Sequence, residues 1–166
     1  MGKLKGYRKI NKFLTDWCHE NGFDVKCRLH TDFQYEDDTK TIYYALVVPQ
    51  KHDQLFFEIC KPYLNNITFC DNFIISFFHE LGHSQLNDFI TDEEWDIYYT
   101  LIEKLKVNKL EEEDYLAYYL NPVELEATKW GCMFINMNID LIQDFWLKLQ
   151  PMILDFYTAN KIINYV

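Results

Sequence analysis

The chain has 166 residues, enough for a substantial hydrophobic core, and aromatic residues make up 17% of it, which excludes a disordered chain. Its formal net charge of −10 at pH 7 repels a phosphate backbone, so we expect no nucleic-acid partner. The apolar runs at 42–48 and 73–78 are too short to span a bilayer, so we expect no membrane partner. The N-terminus lacks the pattern of a secretory signal, so we expect a cytoplasmic location.

The first third of the chain predicts a helix followed by two strands. Residues 6–20 carry apolar side chains at helical spacing, and Asn21-Gly22 is typical of a helix end. Apolar residues alternate along 23–29, and the run 41–48 is rich in β-branched and aromatic residues, so each predicts a strand. The acidic stretch 33–40 between them predicts only a turn. The two strands together predict a small antiparallel sheet.

From residue 54 onward the pattern is mostly helical, with one short strand predicted at 66–69. Asp71-Asn72 supplies an N-cap for a helix whose first residues, 73–78, are almost all large and apolar, which indicates a buried helix. Thr91 and Glu94 have the spacing of a capping box that begins another helix. The predicted helical segments are 54–63, the one that starts at 73, 91–107, 112–120, 122–137, 139–149 and 151–164.

Repeats, low-complexity tracts and an evident linker are all missing from the sequence, so we predict one domain covering residues 1–166. Its predicted class is α+β. In this prediction the small antiparallel sheet packs on the buried helix that starts at residue 73, and a mostly helical C-terminal half follows.

The segment His79-Glu80-Leu81-Gly82-His83 lies on that buried helix. It matches H-E-x-x-H, the zinc-binding motif of metallopeptidases. Residues four apart share one helix face, so both imidazoles can bind one metal ion. A catalytic zinc ion keeps a water molecule, and Glu80 is placed to accept a proton from it. The alternative is a helix with two surface histidines, which the large apolar residues before the motif disfavour.

A zinc site needs a third protein ligand. None of the five histidines follows the motif, so a ligand that follows it has to be Asp, Glu or Cys. The metzincin pattern fails because Leu86 and Phe89 stand where Gly and His are required. The best candidate segment is 121–131, in which Asn121 and Pro122 predict the start of a helix.

Glu124 and Glu126 are the two candidate ligands in this segment. They lie about 200° apart around a helix, so only one of them can face the metal. Ala127, Thr128 and Gly131 share the side of Glu124, and small residues there would let the two helices approach closely. However, Glu124 also stands at a capping-box position, and Glu126 is nearer the centre of the apolar stripe. Spacing alone does not decide between them.

The five cysteines are odd in number and include no C-x-x-C pair, which predicts free thiols in a reducing compartment. Cys132 lies close to the candidate ligand segment. We interpret it as a packed apolar residue, with zinc ligation as the alternative.

The segments HELGH at 79–83 and ELEATKWG at 124–131 together resemble a gluzincin of the ImmA/IrrE type, a family of small metallopeptidase-like proteins common in phages and mobile elements. That family pairs the first motif with a later helix of the form E-x-E-A-N-x-F-A. Its first glutamate corresponds to the zinc ligand of related gluzincins. The resemblance therefore implies that Glu124 binds Zn²⁺ together with His79 and His83.

The resemblance covers about residues 67–135, and the second motif departs from the family at three positions. Thr128 replaces Asn or Asp, Trp130 replaces Phe, and Gly131 replaces Ala. The last two changes are conservative. Thr128 stands where the family commonly has a residue that orients a ligand histidine, so the support of that histidine is the feature most affected.

These features predict a zinc-dependent metallopeptidase that hydrolyses a protein or peptide substrate, with Glu80 as the general base. By analogy with zincins, the strand at 41–48 is the candidate edge that pairs with substrate backbone. Two alternatives remain. One is a zincin-fold protein that binds a regulatory partner without catalysis, and the other is a virion structural or cargo protein with an accidental motif. A phage origin would add the interior of a virus particle as a location.

Overall fold

The computed structural model describes residues 4–46, 50–65, 71–107 and 112–162. The described elements form an α+β protein with a mostly helical C-terminal half, as predicted, and they fall into two compact units. In chain order they are α1 (Tyr7–Glu20), β1 (Lys26–Leu29), β2 (Gln34–Glu36), β3 (Thr41–Tyr44), α2 (Gln50–Cys60), α3 (Asn72–Leu86), α4 (Asp92–Val107), α5 (Glu112–Leu120), α6 (Pro122–Met137) and α7 (Ile139–Ala159).

The first unit contains α1, the three strands and α7. Its sheet is mixed, with β3 in the centre, antiparallel to β2 and parallel to β1. The predicted antiparallel pairing of the strands at 23–29 and 41–48 is therefore wrong, because β1 and β3 are parallel, and the antiparallel partner of β3 is β2, which was not predicted. The chain turns from β2 directly back into β3, so β1 pairs with the other edge of β3 and runs parallel to it. The strand β2 was missed because it has only three residues and leads into the acidic residues 36–38, which favoured a turn.

β3 is paired on both sides, since Ile42 is aligned with Cys27 of β1 and with Tyr35 of β2. The prediction that this strand is a substrate-binding edge is therefore wrong, because its backbone groups already bond to two neighbours. A buried central strand and a buried edge strand have the same sequence pattern, so the residues could not separate them. Positions 47 and 48 of the predicted strand lie outside the described residues.

Helix α1 covers the outer edge of β1. The backbone N–H of Cys27 donates to Thr15 Oγ1 at 2.9 Å, and that of Leu29 donates to Asn11 Oδ1 at 3.1 Å. Both amides would otherwise be unpaired donors at the edge of the sheet. These side-chain bonds join the helix to the sheet, and the apolar face of α1 is buried as its periodicity predicted.

Helix α7 continues through Pro151, although the sequence predicted two helices divided there. Proline removes one helical hydrogen bond and crowds the carbonyl of residue 147, which lies on the exposed face. Buried residues of α7 line one face on both sides of the proline, and this continuous burial favours an unbroken helix. They are Ile142, Phe145, Leu149, Ile153 and Phe156.

The second unit contains α2 to α6. The helices predicted at 91–107, 112–120 and 122–137 are present, and α2 is followed by a short 3-10 turn at Lys61–Tyr63. The capping box before α4 forms as predicted, with the Glu94 N–H donating to Thr91 Oγ1 at 3.2 Å and the Thr91 N–H donating to Glu94 Oε1 at 3.3 Å. The strand predicted at 66–69 lies outside the described residues.

Two predictions about organisation stay predictions. The sheet belongs to the first unit and α3 to the second, so the packing of the sheet on α3 stays a prediction, and so does a single domain over residues 1–166.

Within the described ranges, no helix is both long and apolar enough to cross a bilayer. The four cysteines that the structure describes are all buried and form no disulfide, whereas Cys70 lies outside the described residues.

Candidate metal centre

Helix α3 carries the H-E-x-x-H motif in the interior of the second unit. Asp71 caps the helix as predicted, because its Oδ1 accepts the N–H of Phe73 at 2.8 Å. His79, Glu80 and His83 are only 5%, 7% and 7% exposed. The motif is therefore not on a solvated surface, which excludes the alternative of two surface histidines.

Helix α6 lies against α3 at a distance that only glycine permits. A methyl group on Gly82 would lie 2.7 Å from the carbonyl oxygen of Ala127, and one on Gly131 would lie 2.9 Å from the carbonyl of Phe78. Each glycine thus faces the backbone of the opposite helix. The predicted close approach through small residues is confirmed, and it brings Glu124 next to the two histidines.

Three side-chain atoms from the two helices converge. Glu124 Oε2 lies 2.7 Å from His79 Nε2 and 3.1 Å from His83 Nε2, and the two imidazole nitrogens are 3.0 Å apart. Atoms bound to one tetrahedral zinc ion at about 2.0–2.1 Å are roughly 3.3–3.4 Å from one another. The observed spacing is slightly shorter, so small side-chain adjustments would accommodate the ion.

His79 is held by a second partner on α6. Its Nδ1 lies 2.9 Å from Thr128 Oγ1, and both residues are buried. When Nδ1–H donates to the threonine hydroxyl, the lone pair of the neutral ring is on Nε2, which faces Glu124. The hydroxyl of Thr128 therefore contacts His79 at the position where the sequence analysis expected the support of a histidine to be most affected. The other histidine, His83, is contacted by the side chain of Asn87.

Glu124 uses its two oxygens differently. Oε2 faces the histidines, while Oε1 accepts a hydrogen bond from the Tyr118 hydroxyl at 2.7 Å. Glu126 is on the outside of α6, where its side chain is 54% exposed and lies 3.6 Å from the Lys129 ammonium. The structure brings Glu124, and not Glu126, together with the motif. The capping-box objection does not apply either, because the Asn121 N–H donates to the Tyr118 carbonyl, and the two oxygens of Glu124 face His79 and Tyr118 instead.

The charges of this cluster are strongly coupled. Burial alone would lower the pKa of His83, but the nearby Glu124 carboxylate outweighs it and raises the value to about 9. Burial would raise the pKa of Glu124, but the charge of His83 and hydrogen bonds from both histidines hold it well below its ordinary value. Glu124 and His83 therefore each favour the charged form of the other.

The pKa of Glu80 is shifted in the opposite direction from that of Glu124. Burial raises the pKa of its carboxyl, and the two histidines only partly oppose this effect. A ligand atom from each of His79, Glu80 and His83 fits within 4.8 Å of the others, so this buried group could hold a metal ion. The raised pKa makes Glu80 a better proton acceptor than an ordinary surface glutamate.

Aromatic rings surround the cluster. Phe56 of α2 meets the His79 ring edge-on at 5.1 Å between centroids, and Tyr98 of α4 lies 6.2 Å from the Tyr118 ring. Burial, and next the charge of Glu124, raise the pKa of Tyr98 to about 12. Tyr118, whose hydroxyl donates to Glu124, is the residue of the site that the sequence analysis missed.

No protein-family model matches this chain, and neither a curated protein nor a solved structure does. The resemblance to ImmA/IrrE-type gluzincins therefore rests on the two motifs. The fold and the site together define an α+β protein with a buried H-E-x-x-H group that is compatible with a metal site.

Proposed function

We propose that the protein is a zinc-dependent metallopeptidase of the gluzincin type, with a protein or peptide as its substrate. The observation that carries the proposal is the convergence of His79 Nε2, His83 Nε2 and Glu124 Oε2 within 3.1 Å of one another in a buried site. Two imidazoles and one carboxylate are a ligand set of catalytic zinc sites. Structural zinc sites more often have four protein ligands, including cysteines.

Each residue of the cluster has a distinct role in this proposal. His79, His83 and Glu124 hold Zn²⁺, which when bound polarises a carbonyl group and makes a water molecule acidic. Glu80 accepts the proton of that water as general base and delivers it to the leaving amine. Thr128 keeps His79 in the tautomer whose Nε2 can bind.

The first test is metal content, measured by elemental analysis on protein purified without added metal and without an affinity tag. We expect about one zinc ion per chain. The variant Glu80→Gln should retain the zinc and lose peptide hydrolysis, because the amide cannot accept a proton. Glu126→Gln, an exposed change on the ligand helix, is the matched control and should keep both. A wild-type chain that takes up no zinc would contradict the proposal.

A second candidate function is a metal-containing binding protein without catalysis. It is favoured by the low exposure of all four residues, between 3% and 7%, which limits the access of a substrate to Glu80. Such a protein keeps its partner when Glu80→Gln is introduced. If the protein is a peptidase, Glu80→Gln should bind the substrate without cleaving it, whereas the wild type should cleave it. If the protein is a binding protein, the wild type and Glu80→Gln should both bind the partner and leave it intact.

A further inference from the structure

We propose that Tyr118 is a positioning residue that fixes Glu124 so that only one carboxylate oxygen faces the metal. This inference rests on the proposed zinc site. The Tyr118 hydroxyl donates to Oε1 at 2.7 Å, whereas Oε2 is the oxygen close to the two imidazole nitrogens. A carboxylate accepts such a charge-assisted hydrogen bond strongly, so Oε1 is held away from the histidines.

The backbone between the two residues makes this arrangement rigid. Asn121 lies at the corner between α5 and α6 and is 5% exposed. Its backbone N–H donates to the Tyr118 carbonyl at 3.3 Å, and its side-chain amide donates to the same carbonyl. Its Oδ1 accepts the Glu124 N–H at 3.2 Å. Tyr118, Asn121 and Glu124, each three residues apart, therefore form one closed unit that fixes both the backbone and the side chain of Glu124.

A carboxylate whose second oxygen is free can rotate and place both oxygens on a metal ion. The hydroxyl of Tyr118 opposes that rotation because it would lose its carboxylate acceptor, and a hydrogen bond to a charged group is stronger than one to a neutral group. One-oxygen binding by Glu124 keeps a coordination position for water, which the proposed chemistry needs. The purely structural alternative is that Glu124 only satisfies the buried tyrosine hydroxyl, and this predicts no effect on the metal.

The test compares wild type, Tyr118→Phe and Tyr43→Phe. Tyr43 is a matched control, because its hydroxyl also donates to a glutamate, Glu36, at 2.9 Å in the first unit. Zn²⁺ affinity is measured by competition with a chromophoric chelator, and coordination by the visible absorption of the Co²⁺-loaded protein. We expect Tyr118→Phe to bind Zn²⁺ about 10- to 100-fold more weakly with an altered Co²⁺ spectrum, and Tyr43→Phe to match wild type.

Wild-type affinity and an unchanged Co²⁺ spectrum in Tyr118→Phe would overturn the role of Tyr118 and leave the proposed zinc site intact. A wild-type chain that binds neither ion would instead overturn the proposed function itself. If Tyr118→Phe does not fold, proton NMR on Zn²⁺-loaded wild type replaces it. A tyrosine hydroxyl proton protected from exchange and close to the Tyr118 ring supports the proposal, and its absence contradicts it.

Discussion

Thr128 Oγ1 lies 2.9 Å from His79 Nδ1, so a hydroxyl on α6 contacts the histidine that begins the H-E-x-x-H motif on α3. Thr128→Val keeps the shape of the side chain and removes the hydroxyl. We expect Zn²⁺ affinity to fall by about 10- to 100-fold, because the partner of a ligand histidine is lost. Thr128→Ser, which keeps the hydroxyl, is the control. Equal affinity of the valine and serine variants would mean that Thr128 does not support His79.

The two glutamates of α6 should differ sharply in their effect on the metal. Glu124→Gln is expected to weaken Zn²⁺ binding by more than about 100-fold. The loss of a metal ligand should cost more than the loss of a residue that only hydrogen-bonds to a ligand, which typically costs about 10- to 100-fold. Glu126→Gln should leave binding unchanged, since its side chain is outside and pairs only with Lys129 among the contacts that the structure gives. Chelator competition on both variants measures this difference. A stronger effect from Glu126→Gln would reverse the assignment of the third ligand.

Packing between α3 and α6 predicts the effect of a single methyl group. In Gly82→Ala the new methyl would lie 2.7 Å from the carbonyl oxygen of Ala127, which is backbone and cannot rotate away. We expect a loss of about 1–3 kcal/mol in the free energy of unfolding, measured with urea, together with weaker Zn²⁺ binding. Met133→Ala on the exposed face of α6 is the control. Unchanged stability in Gly82→Ala would contradict the close contact.

The stability of the metal-free protein should depend on pH through His83. Its pKa is raised from 6.5 to about 9 in the folded state, so the folded protein binds the proton more tightly than the unfolded chain. This stabilisation is fully present below about pH 6.5 and decreases as the pH rises through about 9, by an amount on the order of 3 kcal/mol. Urea unfolding with a chelator present measures the decrease.

A bound metal ion should abolish this dependence, because the imidazole is then neutral and no longer gains a proton. Urea unfolding in saturating Zn²⁺ over the same pH range provides the comparison. The variant His83→Gln, which has no titrating group at this position, should also lack the alkaline decrease. The same decrease in His83→Gln as in wild type would assign it to another group.

The sequence predicted the features of the site that local patterns determine. An N-cap and the apolar run 73–78 predicted α3, and the spacing of four residues placed His79 beside His83 on one face of that helix. The choice of Glu124 needed the family resemblance, because Glu124 and Glu126 fit the sequence pattern equally well. Tyr118 could not be predicted, since its contact depends on the angle of the corner between α5 and α6, which residue spacing does not specify.

The sequence also predicted only part of the fold. Periodicity and capping residues gave the helices of the second unit within a few residues, but the short strand β2 was missed and the predicted antiparallel pairing of β1 with β3 was wrong. Strand order depends on long-range pairing, which a local pattern does not encode. The break expected at Pro151 did not occur, because tertiary burial along α7 outweighed the local preference.

The glycine contacts between α3 and α6 have a consequence for how the metal is acquired. Gly82 and Gly131 each meet the backbone of the other helix, so sliding α6 by one turn along α3 would force a larger side chain into that contact. Packing therefore restricts the register of the two helices. In the proposed zinc site, this restriction would place Glu124 beside His79 and His83 through the fold itself, so that ion binding would require little rearrangement of the backbone.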